Sequence, residues 1–175
     1  KKYLEKNKRK IILRMTSFKK KICIISSSRA ELGILKNLIL GISREKFIKT
    51  TLIALDNHSM VAGKKLDSEL KELHNTKIIK INLKSKIQTP RDITNRSLMI
   101  IKNLSLLFEK EKFDLVIFLG DRYEIFVSAY TAVLHKFPLI HISGGDETLG
   151  AYDNQFRHAI SKLSNYHFVT NKFSK

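Results

Sequence analysis

The sequence predicts an α/β fold, a Rossmann-like parallel sheet with helices on both faces. Short, continuously apolar runs such as residues 115–119 and 139–142 read as strands buried on both sides. Segments with apolar residues at helical spacing alternate with these runs. Polar or glycine-containing loops follow the strands, at the edge where open parallel sheets place their ligands. The 175 residues suffice for one such domain.

Residues 1–20 fit no apolar period and read as a basic, disordered extension, with residues 21–175 as the folded domain. Met15, six residues before the first strand, reads as the start of translation. Residues 22–26 form the first strand, and 31–42 a helix with Leu35, Leu38, Ile39 and Ile42 on one face. Strands at 50–55 and 78–81 flank a helix at 64–73. Pro90 and Asp92 open a long helix to Lys110, with Ile93, Ser97, Ile100, Ile101, Leu104 and Leu107 inward. Strand 115–119 leads into helix 122–135, and strand 139–142 into a Gly-rich loop. A helix over 154–163 then turns Phe156, Ala159, Ile160 and Leu163 inward, and a last strand begins at His167.

Composition narrows the function classes. Apolar residues are 43% of the chain and charged residues 28%, and no apolar run reaches the roughly 18 residues of a membrane span. Arg14 interrupts the apolar stretch Ile11-Ile12-Leu13 before signal-peptide length, so a cytoplasmic protein is expected. The single cysteine, Cys23, falls in an apolar run and reads as a buried core residue. The net charge of +17 raises nucleic-acid binding, but residues 1–21 hold ten Lys/Arg against one acid, Glu5. Aromatic residues lie in apolar periodic segments and form no stacking stripe, so neither a nucleic acid nor a membrane is the expected partner. The six histidines form no close ligand pair, and His74 and His135 near helix ends read as solvated, so no metal is expected.

Four motifs stand at strand ends. Ser26-Ser27-Ser28-Arg29-Ala30-Glu31 sets backbone amides and a guanidinium at a helix N-terminus, where an anion or a plain polar turn fits. It lacks the three spaced glycines of a dinucleotide fingerprint and any Walker lysine, so no cofactor is expected. Gly120-Asp121-Arg122 sets a carboxylate and a guanidinium at the sheet edge, with Asp121 either facing a ligand or capping the next helix. Ser143-Gly144-Gly145-Asp146-Glu147 carries two acids, and its glycines would let the backbone approach a ligand. Asp153 and Arg157 share one helix face, as a site or as a local ion pair, with His158 turned about 100° away.

In this order the motifs resemble the N-terminal domain of hydrolysing UDP-N-acetylglucosamine 2-epimerases, including enzymes acting on UDP-diacetylbacillosamine in the sialic-acid and legionaminic-acid pathways. The resemblance covers residues 20–172 and implies the first half of a GT-B-type fold. It implies C2 proton abstraction, elimination of UDP to a glycal, and hydration to the 2-epimerised free sugar. Asp121 and Asp153 are then the acid/base candidates, with Asp146 a further one. Arg29, His58, Arg122, Ser143, Gly144, Glu147, Arg157 and His158 are candidate contacts to the UDP-sugar, the two arginines Arg29 and Arg157 suiting phosphate. A homodimer is also implied.

Two departures bear on mechanism. Several family members carry a catalytic glutamate directly after His-Ile, and this chain has Ser143, whose hydroxyl cannot supply the same acid or base; Asp146 and Glu147 are the candidates to substitute from the same loop, and the replacement reads as a subtype mark more than as inactivation. The family's nucleotide-binding C-terminal half would follow Lys175, so these 175 residues alone are expected to be poor catalysts. A binding fragment without turnover and a basic nucleic-acid-binding domain are the competing readings.

Overall fold

The computed structural model describes residues 19–55, 70–83 and 87–174. Strands β1 (Lys20–Ser26), β2 (Ile48–Leu55), β3 (Thr76–Ile81), β4 (Leu115–Leu119), β5 (Leu139–Ile142) and β6 (Tyr166–Phe168) form one sheet in the order β3-β2-β1-β4-β5-β6. Every pairing is parallel. The helices are α1 (Arg29–Ser43), α2 (Pro90–Lys110), α3 (Tyr123–Leu134) and α4 (Asp153–Leu163). A 3₁₀ turn at Lys172–Ser174 follows β6.

Strand alternation sorts the core into two layers. Cys23, Ile25, Ile53, Leu55, Val116, Phe118 and Leu139 point to the layer shared with Ile100, Leu104, Phe108, Ile125 and Ile160 of α2, α3 and α4. Ile24, Leu52, Ile117 and Leu119 point the other way, onto Leu32, Leu35 and Ile39 of α1. Both faces are thus covered, as the apolar strands require. The order in which strands are added reverses between β1 and β4 while their direction stays parallel, so the loops after these two strands diverge and open a crevice at their carboxyl ends.

Several helix faces differ from the sequence reading. Ser28 caps α1 by accepting from the Glu31 amide, so the helix begins at Arg29. Its buried stripe is Leu32, Leu35 and Ile39, while Leu38 stays on the surface. Thr89 and Asp92 form a capping box that starts α2 at Pro90. The buried line of α2 runs Arg96, Ile100, Leu104, Phe108 at four-residue steps, with Ile93, Ser97, Ile101 and Leu107 on its flanks. Arg96 is tolerated there because its Nη1 donates to the Leu83 carbonyl at 2.9 Å. His135 is half-buried and bonds Ser105 at 2.9 Å, so it is not a solvated side chain. The extension expected over residues 1–20 lies outside the described residues as far as residue 18, and the helix expected over 64–73 is described only from residue 70, where 70 and 71 are helical.

Candidate functional site

At the carboxyl end of β1, the loop expected to receive an anion is filled from within. The Glu31 carboxylate accepts from the Ser27 amide at 2.6 Å, the Ser27 hydroxyl at 2.8 Å and the Ser26 hydroxyl at 3.4 Å. A carboxylate one helical turn along thus occupies the nest of donors that an external anion would need. Burial raises the Glu31 pKa, with the Ser27 hydrogen bonds and the Arg122 charge opposing the rise. Arg29 opens α1 beside this loop and is half-buried.

Across the crevice, β4 ends in Gly120 and Asp121. The N-cap of α3 is Arg122, without a side-chain capping bond, so Asp121 is not a helix cap. Its carboxylate instead pairs with the Arg157 guanidinium, 36 residues away on α4. Arg157 also donates to the Asp146 carbonyl and, at 3.2 Å, to Asn154 Oδ1. Among the described residues its partners are these three and not Asp153, so the local i,i+4 pair allowed by spacing is not the one formed. Asp153 is exposed at the first turn of α4. Arg122 turns back on the fully buried Glu124 at 3.3 Å.

The pair is held by a buried histidine. Alternation along β5 points His141 to the α4 side, where it is fully buried. Its Nε2 lies 2.8 Å from the Gly120 carbonyl, which only accepts, so Nε2 carries the proton. Nδ1 then accepts from the Ser161 hydroxyl at 2.9 Å. Desolvation by burial is the main cause that lowers the His141 pKa, keeping the ring neutral and this tautomer fixed. His141 therefore ties the residue before Asp121 to the helix that carries Arg157.

The Gly-rich loop packs inward. A Cβ on Gly144 would stand 2.7 Å from both His141 Nδ1 and Ser161 Oγ, so the glycine makes room for their hydrogen bond. A Cβ on Gly145 (φ 81°) would lie 2.1 Å from the Ser174 carbonyl. The sequence reading expects these glycines to let the backbone approach a ligand, and the side on which each would carry a Cβ faces the chain itself. Ser143 has a left-handed φ of 60°, and its amide donates to the Phe168 carbonyl at 2.8 Å. The Asp146 carboxylate accepts from Thr170 (2.8 Å), Ser174 (2.5 Å) and Asn171 (3.4 Å), and these bonds lower its pKa. Glu147 is exposed and faces His158 at 3.8 Å. Asn154 closes the loop on α4 through the Thr148 amide and carbonyl. His58 lies outside the described residues.

The structure therefore brings Asp121, Arg157 and the Asp146 backbone together and leaves Asp153 exposed at the start of the same helix. His141, Ser161, Asn154 and the inward role of Glu31 were not foreseen. Period-two alternation through 139–142 was the signal for His141, since it sets the ring on the same face as Leu139.

A family model described as UDP-N-acetylglucosamine 2-epimerase matches residues 42–175. A Campylobacter jejuni protein named GDP/UDP-N,N'-diacetylbacillosamine 2-epimerase (hydrolyzing) is 39% identical over 160 residues, 90% of this chain and 41% of that protein. The Escherichia coli polysialic acid biosynthesis protein P7 is 34% identical over 86% of this chain and 39% of its own length. Among solved structures, a UDP-GlcNAc 2-epimerase from Neisseria meningitidis bound to UDP-GlcNAc superposes with a TM-score of 0.75 at 23% identity, over 88% of this chain and 41% of that one. The chain spans about 40% of the length of these relatives, and the likeness in fold identifies its sheet as the Rossmann-like N-terminal part of a GT-B-type architecture.

Proposed function

Because the chain belongs to the UDP-N-acetylglucosamine 2-epimerase family, we propose that it supplies the N-terminal half of a hydrolysing UDP-sugar 2-epimerase. The observation that carries the reading is the Asp121–Arg157 pair on the β4 side of the crevice, braced from behind by His141. A carboxylate beside a fixed guanidinium suits a reaction that moves a proton while negative charge departs on a phosphate.

In this reading one carboxylate takes the C2 proton, and the C–H electrons form the C1–C2 double bond as the C1–oxygen bond breaks toward the diphosphate and releases UDP. Water adds its hydroxyl to C1 of the glycal while C2 receives a proton on the opposite face, so the product is the free 2-epimer. Asp121 and Asp153 are the acid/base pair, and Arg157 and Arg29 address the diphosphate, the planar guanidinium matching two oxygens at once. Asp146, engaged by three side-chain donors, braces the loop and does not exchange protons. Ser143, Gly144, Glu147, Arg122 and His158 shape the wall of the crevice. The substrate is UDP-N,N'-diacetylbacillosamine or UDP-N-acetylglucosamine, the first favoured by the named activity of the Campylobacter relative. A cytoplasmic homodimer acting in sialic- or legionaminic-type sugar synthesis completes the proposal.

The test is to incubate the full-length protein with each UDP-sugar in D₂O. UDP release, a manno-configured free sugar and deuterium at C2 are expected. UDP release without C2 exchange would refute the epimerase mechanism, and no release from either sugar would refute the substrate class.

A further inference from the structure

A charged pair on the β4 side of the crevice is left unused by the proposed reaction. Glu124 stands in the first turn of α3 and is fully buried. Arg122, the N-cap of the same helix, turns back on it. Its Nε lies 3.3 Å from one carboxylate oxygen and its Nη2 3.3 Å from the other. The guanidinium thus engages Glu124 through its Nε–Nη2 edge. Its second edge, with one hydrogen on each Nη, has no partner among the described residues, and the Arg122 side chain is 43% exposed.

Packing alone does not call for this pair. A buried carboxylate gives up its hydration, and an apolar side chain of similar volume fills such a place at least as well. The neighbouring Ile125, Val127, Ala129 and Ala132 of α3 are buried in that way. The pair is also lopsided, with the carboxylate enclosed and the cation reaching solvent, so Glu124 is the anchor and Arg122 the group presented. Desolvation pulls the Arg122 pKa down, while the Glu124 charge and hydrogen bonds, joined by Glu31, push it up, and the charge is kept. Glu31 at the end of β1 feels that charge in turn, which sets the guanidinium toward the seam between β1 and β4.

We infer that Glu124 is a positioning residue, whose buried carboxylate fixes the Arg122 guanidinium with its open edge toward the anionic oxygens of the bound UDP-sugar. The inference rests on the UDP-sugar reading above and adds to it a side chain that touches no substrate and acts through Arg122. A long side chain held in place before the ligand arrives loses less freedom on binding. A planar edge of two donors matches two oxygens only when its plane is set.

The test is a double-mutant cycle read as UDP affinity, by calorimetry on the full-length protein. Glu124→Asp keeps the charge and shortens the reach, so the fork opens. It is expected to weaken UDP binding about three- to ten-fold, the cost of ordering one long side chain. Arg122→Ala is expected to weaken binding about ten-fold or more. In that background Glu124→Asp should change the affinity by less than about two-fold. Glu124→Gln, of unchanged size, runs in the same cycle. A coupling to Arg122 of the same sign is expected there, even though loss of a negative charge by itself favours an anion. Equal effects of Glu124→Asp with and without Arg122, the mark of a role in folding alone, would overturn the proposal, as would UDP affinity indifferent to Glu124. A wild-type protein that binds no UDP would instead refute the UDP-sugar reading, and the proposal would fall with it.

Discussion

Replacing Gly144 by alanine tests the brace behind the Asp121–Arg157 pair. The new Cβ would stand 2.7 Å from His141 Nδ1 and 2.7 Å from Ser161 Oγ, atoms that are themselves joined at 2.9 Å. A methyl group cannot enter without parting them. Separating them leaves a buried ring nitrogen unpaired at about 1–3 kcal/mol. Overpacking of the fully enclosed site adds about 1–3 kcal/mol. The sum, about 2–6 kcal/mol, lowers the melting temperature by roughly 5–20 °C in a domain of this size. Circular dichroism melts of the full-length protein measure it, with Gly33→Ala as the control. Gly33 lies inside α1 with no atom within 4 Å of a would-be Cβ, so alanine there stabilises by about 0.5–1 kcal/mol. In a Ser161→Ala background one of the two blocking atoms is gone, and the Gly144→Ala penalty shrinks by about 0.5–3 kcal/mol. A Gly144→Ala protein that melts with the wild type, or the same penalty with and without Ser161, would refute the brace.

Asp121→Asn keeps the shape of the side chain and is expected to lower the rate of UDP release about 10²–10⁴-fold with a native melting curve, read by coupled UDP detection and calorimetry. The lowered His141 pKa makes stability depend on pH with a definite sign. The unfolded chain takes up a proton near pH 6.5 and the buried ring resists it, so stability is full above about 6.5 and falls as pH drops toward the folded pKa. Melts from pH 7.5 to 5 should show the fall, and His141→Gln should flatten it; an equal slope in both proteins would assign it elsewhere. Asp146→Ala removes the acceptor shared by Thr170, Asn171 and Ser174, so the Phe173 and Ser174 amides should exchange hydrogen faster while β4 amides keep their protection.

Strand positions were legible because a parallel interior strand must be apolar on both faces, and runs 115–119 and 139–142 match β4 and β5 residue for residue. Helix faces were less so. The buried face of α1 takes in Leu32 and leaves Leu38 out, and the Ser28 cap starts the helix at Arg29, two residues before the periodic stretch. At the site, Asp121 and Arg157 were both legible as candidates, but their pairing was not. Spacing offers Arg157 an acid four residues away, and the crossing of α4 over the end of β4 gives it another 36 residues away. Glu31 shows the converse: a loop with the composition of an anion receptor is satisfied by its own chain.

The order of the strands has a consequence for folding. β1 lies mid-sheet and acquires β2 early, but its other neighbour, β4, is about ninety residues further along, and the proposed crevice straddles that seam. During synthesis the β3-β2-β1 portion emerges with one edge of β1 unpaired and the helices of the second layer still to come. Closing this long loop opposes chain entropy, which makes β1–β4 pairing a slow step. Until it closes, the apolar edge of β1 is a template for intermolecular pairing. Low growth temperature during expression should therefore favour soluble protein, and the recognition crevice appears only once that seam is joined.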